Sequence, residues 1–111
     1  MIKGLHHNAY RCRDAEETRK FYEDFLGLPL ANAFEIKQTK SGRKTKTLHA
    51  FFEMDDGSFL AFFEAPDMPF EFKPQHDFDL HIALEVEHDD MRMMFEKGKA
   101  EGIETLSQKD V

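Results

Sequence analysis

The chain has 111 residues, 41% of them hydrophobic and 33% charged, and a formal net charge of −7. That length suits one domain with a core of limited size, and the composition argues against disorder and against a membrane span. The acidic balance disfavours a nucleic-acid partner, which needs a basic face, and the single cysteine, Cys12, leaves no internal disulfide framework. Met1 to Leu5 lacks the apolar stretch of a signal peptide. The expectation is a cytoplasmic protein that handles small molecules, with no nucleic-acid and no membrane partner.

His6 to Cys12 reads as a strand. Its period of two puts Leu5, His7, Ala9 and Arg11 on one face and His6, Asn8, Tyr10 and Cys12 on the other. Asp14 offers a helix N-cap, and Glu17 three positions on completes a box resembling the capping box. Thr18, Phe21, Tyr22 and Phe25 follow at helical spacing. Gly27 then ends the helix, with Pro29 just beyond. From about Asn32 the pattern turns to strands. Ala33 to Ile36 leads into a polar, basic tip carrying Lys37, Lys40, Arg43, Lys44 and Lys46, with a Ser41-Gly42 turn signal. That tip reads as a solvated hairpin end or as a clamp for an anionic substrate tail. Thr47 to Met54 returns as a strand, Asp55-Asp56-Gly57 is a hairpin turn, and Ser58 to Glu64 follows as the next strand.

Twelve phenylalanines, against two tyrosines and no tryptophan, are the unusual part of the composition. Phe51-Phe52 and Phe59-Leu60-Ala61-Phe62-Phe63 carry several of them. Because successive strand residues face opposite sides, some build a core while others can line an apolar pocket. Ala65 to Asp79 holds Pro66, Pro69 and Pro74 and reads as a linker. Leu80 to Val86 is expected as a strand with Ile82, Leu84 and Val86 on its helix-facing side and His81, Ala83 and Glu85 on the other. Asp89 or Asp90 then caps a helix whose Met91, Met94, Phe95 and Gly98 share a stripe. Gly102 closes it, and Ile103 to Leu106 opens a further strand.

The second half echoes the first. A shift of 74 positions carries His7 onto His81, Ala9 onto Ala83 and Phe21 onto Phe95. One strand–helix unit is used twice, and each copy offers one imidazole. Two histidines at equivalent places in a repeat can serve one shared centre. The first copy runs on into a meander of strands, whereas the second has room for barely one, so the second module is expected to be truncated in this chain.

His7 followed by Asp14, then Phe21-Tyr22 and Leu26-Gly27, resembles the opening of the vicinal oxygen chelate superfamily of glyoxalases, bleomycin resistance proteins and extradiol dioxygenases. Asp56-Gly57 leading to Phe63-Glu64-Ala65-Pro66, then His81-Ile82-Ala83-Leu84-Glu85-Val86 and Glu101-Gly102-Ile103, resembles its continuation. The resemblance implies an α+β fold of paired βαβββ modules whose curved mixed sheet makes a cup around a metal. It divides the chain into module one at about 1–66, a linker at about 67–79 and a partial module two at about 80–111. It also implies His7 and His81 as metal ligands, a divalent cofactor with Fe(II) first and Mn(II), Zn(II) or Ni(II) as alternatives, a small-molecule substrate and a homodimer.

Glyoxalase-like members carry a glutamate where this chain has Ala61. Glu64 lies three residues on, so strand alternation turns it to the opposite face unless a bulge re-aims it. Two histidines and one carboxylate expected after Val111 would then complete the site, the ligand set of non-haem Fe(II) oxygenases. The implied activity is a metal-dependent enzyme leaning to extradiol cleavage. Glyoxalase or epimerase chemistry and metal-free ligand binding are the alternatives. Arg11, on the face of His7, and Phe59, Ala61 and Phe63 of the Phe-rich strand are the candidate substrate-binding residues, Arg11 pairing with an anionic substrate group or forming a rim salt bridge. His6 is expected to point away from His7, and His49, His76 and His88 are expected to be surface or structural. Cys12 is expected to be buried and inert.

Overall fold

In the computed structural model, which describes residues 1–106, four strands of the first half make one mixed sheet. They are β1 (His7–Arg11), β2 (Leu30–Gln38), β3 (Lys44–Glu53) and β4 (Phe59–Glu64), in spatial order β1-β4-β3-β2. β1 pairs with β4 in parallel, and β2, β3 and β4 form an antiparallel meander. Helix α1 (Ala15–Arg19) fills the crossover from β1 and continues as a π-helical turn over Lys20–Phe25. The fold class is α+β, as expected. The chain divides into two compact units, Met1–Phe72 and Lys73–Val111, and residues 107–111, the close of the expected second module, lie outside the described residues.

Helix α1 starts where the sequence places it. Asp14 stands in extended backbone, and its Oδ1 accepts the N–H groups of Glu16 and Glu17 at 2.9 and 3.0 Å. The reciprocal half of the expected box is replaced: the Glu17 carboxylate takes the Arg13 guanidinium instead. The π-helical turn is marked by Leu26 N–H donating to the Phe21 carbonyl five residues back. Gly27, at φ +81°, supplies the left-handed residue that lets the Leu28 N–H reach back to the Tyr22 carbonyl.

One sheet face carries the core of this unit. Cys12, Ala50, Phe52, Leu60 and Phe62 are buried there, with Tyr10, Tyr22, Leu28, Leu30 and Met54 packed against them. The Tyr22 ring, delivered by the π-helical turn, lies 4.8 Å from Phe62 and 5.9 Å from Phe52. Half of the phenylalanine-rich strand sequence is therefore core. A register shift between Leu30 and Asn32 in β2 changes which residues face which side. Leu30 packs into the core, whereas Phe34 and Ile36 turn with His49 and Thr47 to the opposite face.

In the second unit, α2 (His88–Ala100) follows Glu87, which is its N-cap in place of the expected Asp89 or Asp90. Both aspartates instead sit in the first turn, with Lys97 and Lys99 in the last, complementing the helix dipole. Gly102 at φ +76° closes α2. Its N–H donates to Lys99, and Ile103 N–H reaches Gly98 at 2.8 Å, a Schellman ending.

The expected strand Leu80–Val86 is not formed. The segment follows a turn in which Asp79 and Leu80 donate to the His76 carbonyl, and it has no ladder partner among the described residues. Ile103–Leu106 is likewise not a strand. Alternation alone does not make a strand, because the extended backbone needs a neighbour to hold its N–H and C=O groups.

Candidate metal and ligand site

The face of the sheet opposite the core carries the sequence-expected residues of the first unit. Registration places His7 beside Phe59, Ala9 beside Ala61 and Arg11 beside Phe63 across β1 and β4. On β3, Phe51 registers with Ala61 and His49 with Phe63. Alternation then brings Thr45, Thr47, His49 and Phe51 to the face of His7.

Two histidines meet at the start of β1. The Nδ1 atoms of His6 and His7 lie 2.7 Å apart, so one ring donates a proton to the other. This corrects the expectation that His6 points away: it precedes the strand, its ring is free of the pleat, and it packs 5.5 Å from Phe59. When His7 carries the Nδ1 proton and His6 accepts it, the Nε2 lone pair of His7 is free to ligate. Metal-binding histidines are usually fixed in this way through their other nitrogen.

Of the two roles expected for His49, surface or structural, its burial excludes the surface one. Its ring is stacked on Phe63 at 3.7 Å, lies 4.2 Å from Phe51 and stands 6.2 Å from the His7 ring. It is only 7% exposed, and its Nε2 is buried with no hydrogen-bond partner. Burial, and secondarily the neighbouring His7, lowers its pKa. The signal in the sequence was strand parity: His49 is two residues from Phe51 and alternates in step with it. Without the β3–β4 register, that parity could not be tied to His7.

Ala61 is fully buried between its neighbours Ala9 and Phe51. Glu64 lies on the helix side, where its carboxylate accepts the Ala15 N–H at 3.0 Å. No bulge re-aims it. Phe59 rests against His6 and Phe51. Arg11 uses its guanidinium within the protein: Nη2 donates to the carbonyls of Ala65, at 2.7 Å, and Met68, and the Phe70 ring lies 5.1 Å away. Arg11 and Phe63 also line a cavity of about 340 Å³ with Ile36, Arg43, Thr47 and Met68. Beside it, Thr45 Oγ1 lies 2.6 Å from Thr47 Oγ1 and donates to Asp67, which also meets Arg43 at 3.4 Å.

His81 belongs to the second unit. It is exposed, and its Nδ1 lies against the Asp77 carbonyl, which fixes a proton on Nδ1 and leaves the Nε2 lone pair free in the neutral ring. Among the described residues no group of three or more His, Cys, Asp or Glu side chains is arranged to hold a metal. The imidazoles on the sheet face opposite the core in the first unit are His7 and His49, the latter with its Nε2 buried and without a hydrogen-bond partner. Cys12 lies on the core side, where burial pushes its thiol pKa up. Among the described residues, no helix is long and apolar enough to cross a membrane.

A mixed four-stranded sheet, a crossover helix on one face and imidazoles on the other define a single-sheet α+β module. The chain belongs to the Glyoxalase/Bleomycin resistance protein/Dioxygenase superfamily, whose model matches residues 4–109. Its fold is similar to that of the genomically encoded fosfomycin resistance protein FosX from Listeria monocytogenes. One FosX crystal form matches at TM-score 0.66 and 21% identity, over 100% of this chain and 77% of that one. A FosX mutant complexed with Mn(II) and 1S,2S-dihydroxypropylphosphonic acid matches at TM-score 0.64 and 20% identity, over 100% and 79%. An integron cassette protein from the mobile metagenome of Halifax Harbour Sewage Outfall matches at TM-score 0.57 and 19% identity, over 91% and 72%. No curated protein matches the chain.

Proposed function

We propose that the protein is a divalent-metal-dependent enzyme that acts on a small molecule held through two neighbouring oxygens. The observation that carries this reading is the His6–His7 contact, which holds the β1 imidazole through Nδ1 and, when His7 is the donor, leaves its Nε2 free to ligate. His7 and His81 are the proposed metal ligands, each through Nε2. A bound divalent ion supplies Lewis-acid stabilisation of the negative charge that develops on the substrate oxygens.

The chain's own residues do the rest. Phe51, Phe59 and Phe63 form an apolar wall beside His7 that suits a flat ring and excludes water, and on this ground we keep extradiol cleavage of a catechol with Fe(II) as the finer reading. Arg11 holds the Ala65–Met68 turn over the cavity. The enzyme is proposed to work as a cytoplasmic homodimer.

A second reading has its own observation. Arg43, Thr45 and Thr47 line the cavity with polar groups, which suits an anionic tail, and the FosX relative holds Mn(II) with a diol phosphonate. Mn(II)-dependent chemistry on an anionic, oxygen-rich substrate is that alternative.

Metal analysis of protein purified anaerobically without chelators tests the reading. Stoichiometric iron would place catechol cleavage first, manganese the anionic substrate, and nickel or zinc an isomerase or lyase. His7→Ala and His81→Ala should each lose the metal. A wild-type chain that neither carries nor takes up metal would overturn the enzyme reading in favour of metal-free ligand binding.

A further inference from the structure

We propose that His49 is an additional metal ligand of the first unit, its Nε2 serving the same ion as His7 and taking the part that an acid at position 61 would have taken. This rests on the metal-dependent reading above and adds to it a donor on a strand where the sequence pointed to none.

Three observations converge. First, His49 Nε2 is buried without a partner. An unsatisfied buried polar atom costs about 1–3 kcal/mol, so such atoms call for an absent partner such as an ion. Nothing in the core explains this one, because His49 is on the open face. Second, the separation admits a shared ion with the two nitrogens on nearly opposite sides of it. An imidazole nitrogen binds a divalent ion at about 2.1 Å, and the ring centre lies ~1.1 Å behind it, so two rings on one ion have centres at most ~6.4 Å apart. The His7 and His49 centres are 6.2 Å apart, which corresponds to an N–metal–N angle of roughly 150°. Third, the position usually acidic is Ala61, fully buried, while Phe51 registers with it and touches both imidazole rings, at 5.2 Å from His7 and 4.2 Å from His49. The donor is displaced by one pleat repeat along β3 instead of standing on β4.

The ring is also held for the role: stacking between Phe63 and Phe51 fixes its plane.

The test titrates the full chain with Mn(II) alone and reads free Mn(II) by electron paramagnetic resonance. His49→Phe keeps the stacking on Phe63 and removes the nitrogen. Expected is a fall in Mn(II) affinity of about tenfold or more relative to wild type, with an unchanged circular dichroism spectrum. To keep the test independent of how that variant folds, the wild-type chain is also followed by nitrogen NMR of its imidazoles during Zn(II) titration. The Nε2 resonance of His49 should shift together with that of His7. Undiminished Mn(II) affinity in folded His49→Phe, or a His49 Nε2 resonance that stays put while His7 moves, would overturn the inference and leave the metal-enzyme reading standing. A wild-type chain that takes up neither ion would overturn both.

Discussion

The carboxylate of Glu64, at the end of β4, accepts the backbone N–H of Ala15 at the first turn of α1. The acid nearest the expected ligand position is thus spent on the helix start, forty-nine residues away in sequence. Glu64→Gln should leave Mn(II) affinity unchanged, whereas Glu64→Ala should lower stability by about 1 kcal/mol, the usual cost of losing a helix N-terminal acceptor. Urea unfolding and metal titration of the same two variants separate the roles. A loss of metal binding in Glu64→Gln would make it a ligand after all.

Leu60 and Phe52 are each 1% exposed at the centre of the core. Truncating either to alanine leaves a cavity that rigid strands cannot close. The expected destabilisation is about 2–5 kcal/mol for Leu60→Ala and about 3–5 kcal/mol for Phe52→Ala. Chemical denaturation reads both, and a change near zero would mean the helix collapses onto the sheet.

Glu23 joins the π-helical turn to β2. Its Oε2 accepts the Leu30 N–H at 2.7 Å and its Oε1 takes Arg19 at 3.0 Å. The Leu30 bond first, and Arg19 next, hold its pKa below the ordinary 4.5. A depressed carboxylate pKa stabilises the fold above the unfolded value, and that contribution is lost as pH falls through the folded pKa. Stability should therefore decline as pH drops below about 4.5, and Glu23→Gln should flatten that part of the profile. Thermal melts across the acid range provide the check; identical slopes in the two proteins would count against it.

Arg11 fastens the turn after β4 through one nitrogen, Nη2, which donates to two carbonyls. Arg11→Lys keeps the charge but replaces the rigid, planar guanidinium with a flexible ammonium that does not hold that position. Faster amide exchange over residues 65–70 is expected, with a stability loss of about 1 kcal/mol. Hydrogen-exchange mass spectrometry reports it directly, and unchanged protection would show that the turn holds itself.

The sequence by itself determined the first unit to a large degree. Period-two alternation placed His7, Ala9 and Arg11 together, Asp14 marked the helix start, and Gly27, Gly57 and Gly102 stand at positive φ where turns were read. The spacing of motifs sufficed for the family. These are local signals, carried by neighbouring residues and by backbone chemistry. Only the tertiary structure decided which strands lie side by side, and so which residues meet. His49 joined His7 because β3 pairs with β4 in one register, a relation between residues forty-two apart that no local pattern encodes. His6 reached His7 because it stands just outside the pleat. Leu80–Val86 shows the converse: its alternation is clear, yet strand formation depends on a partner's hydrogen bonds, and a sequence pattern cannot supply those.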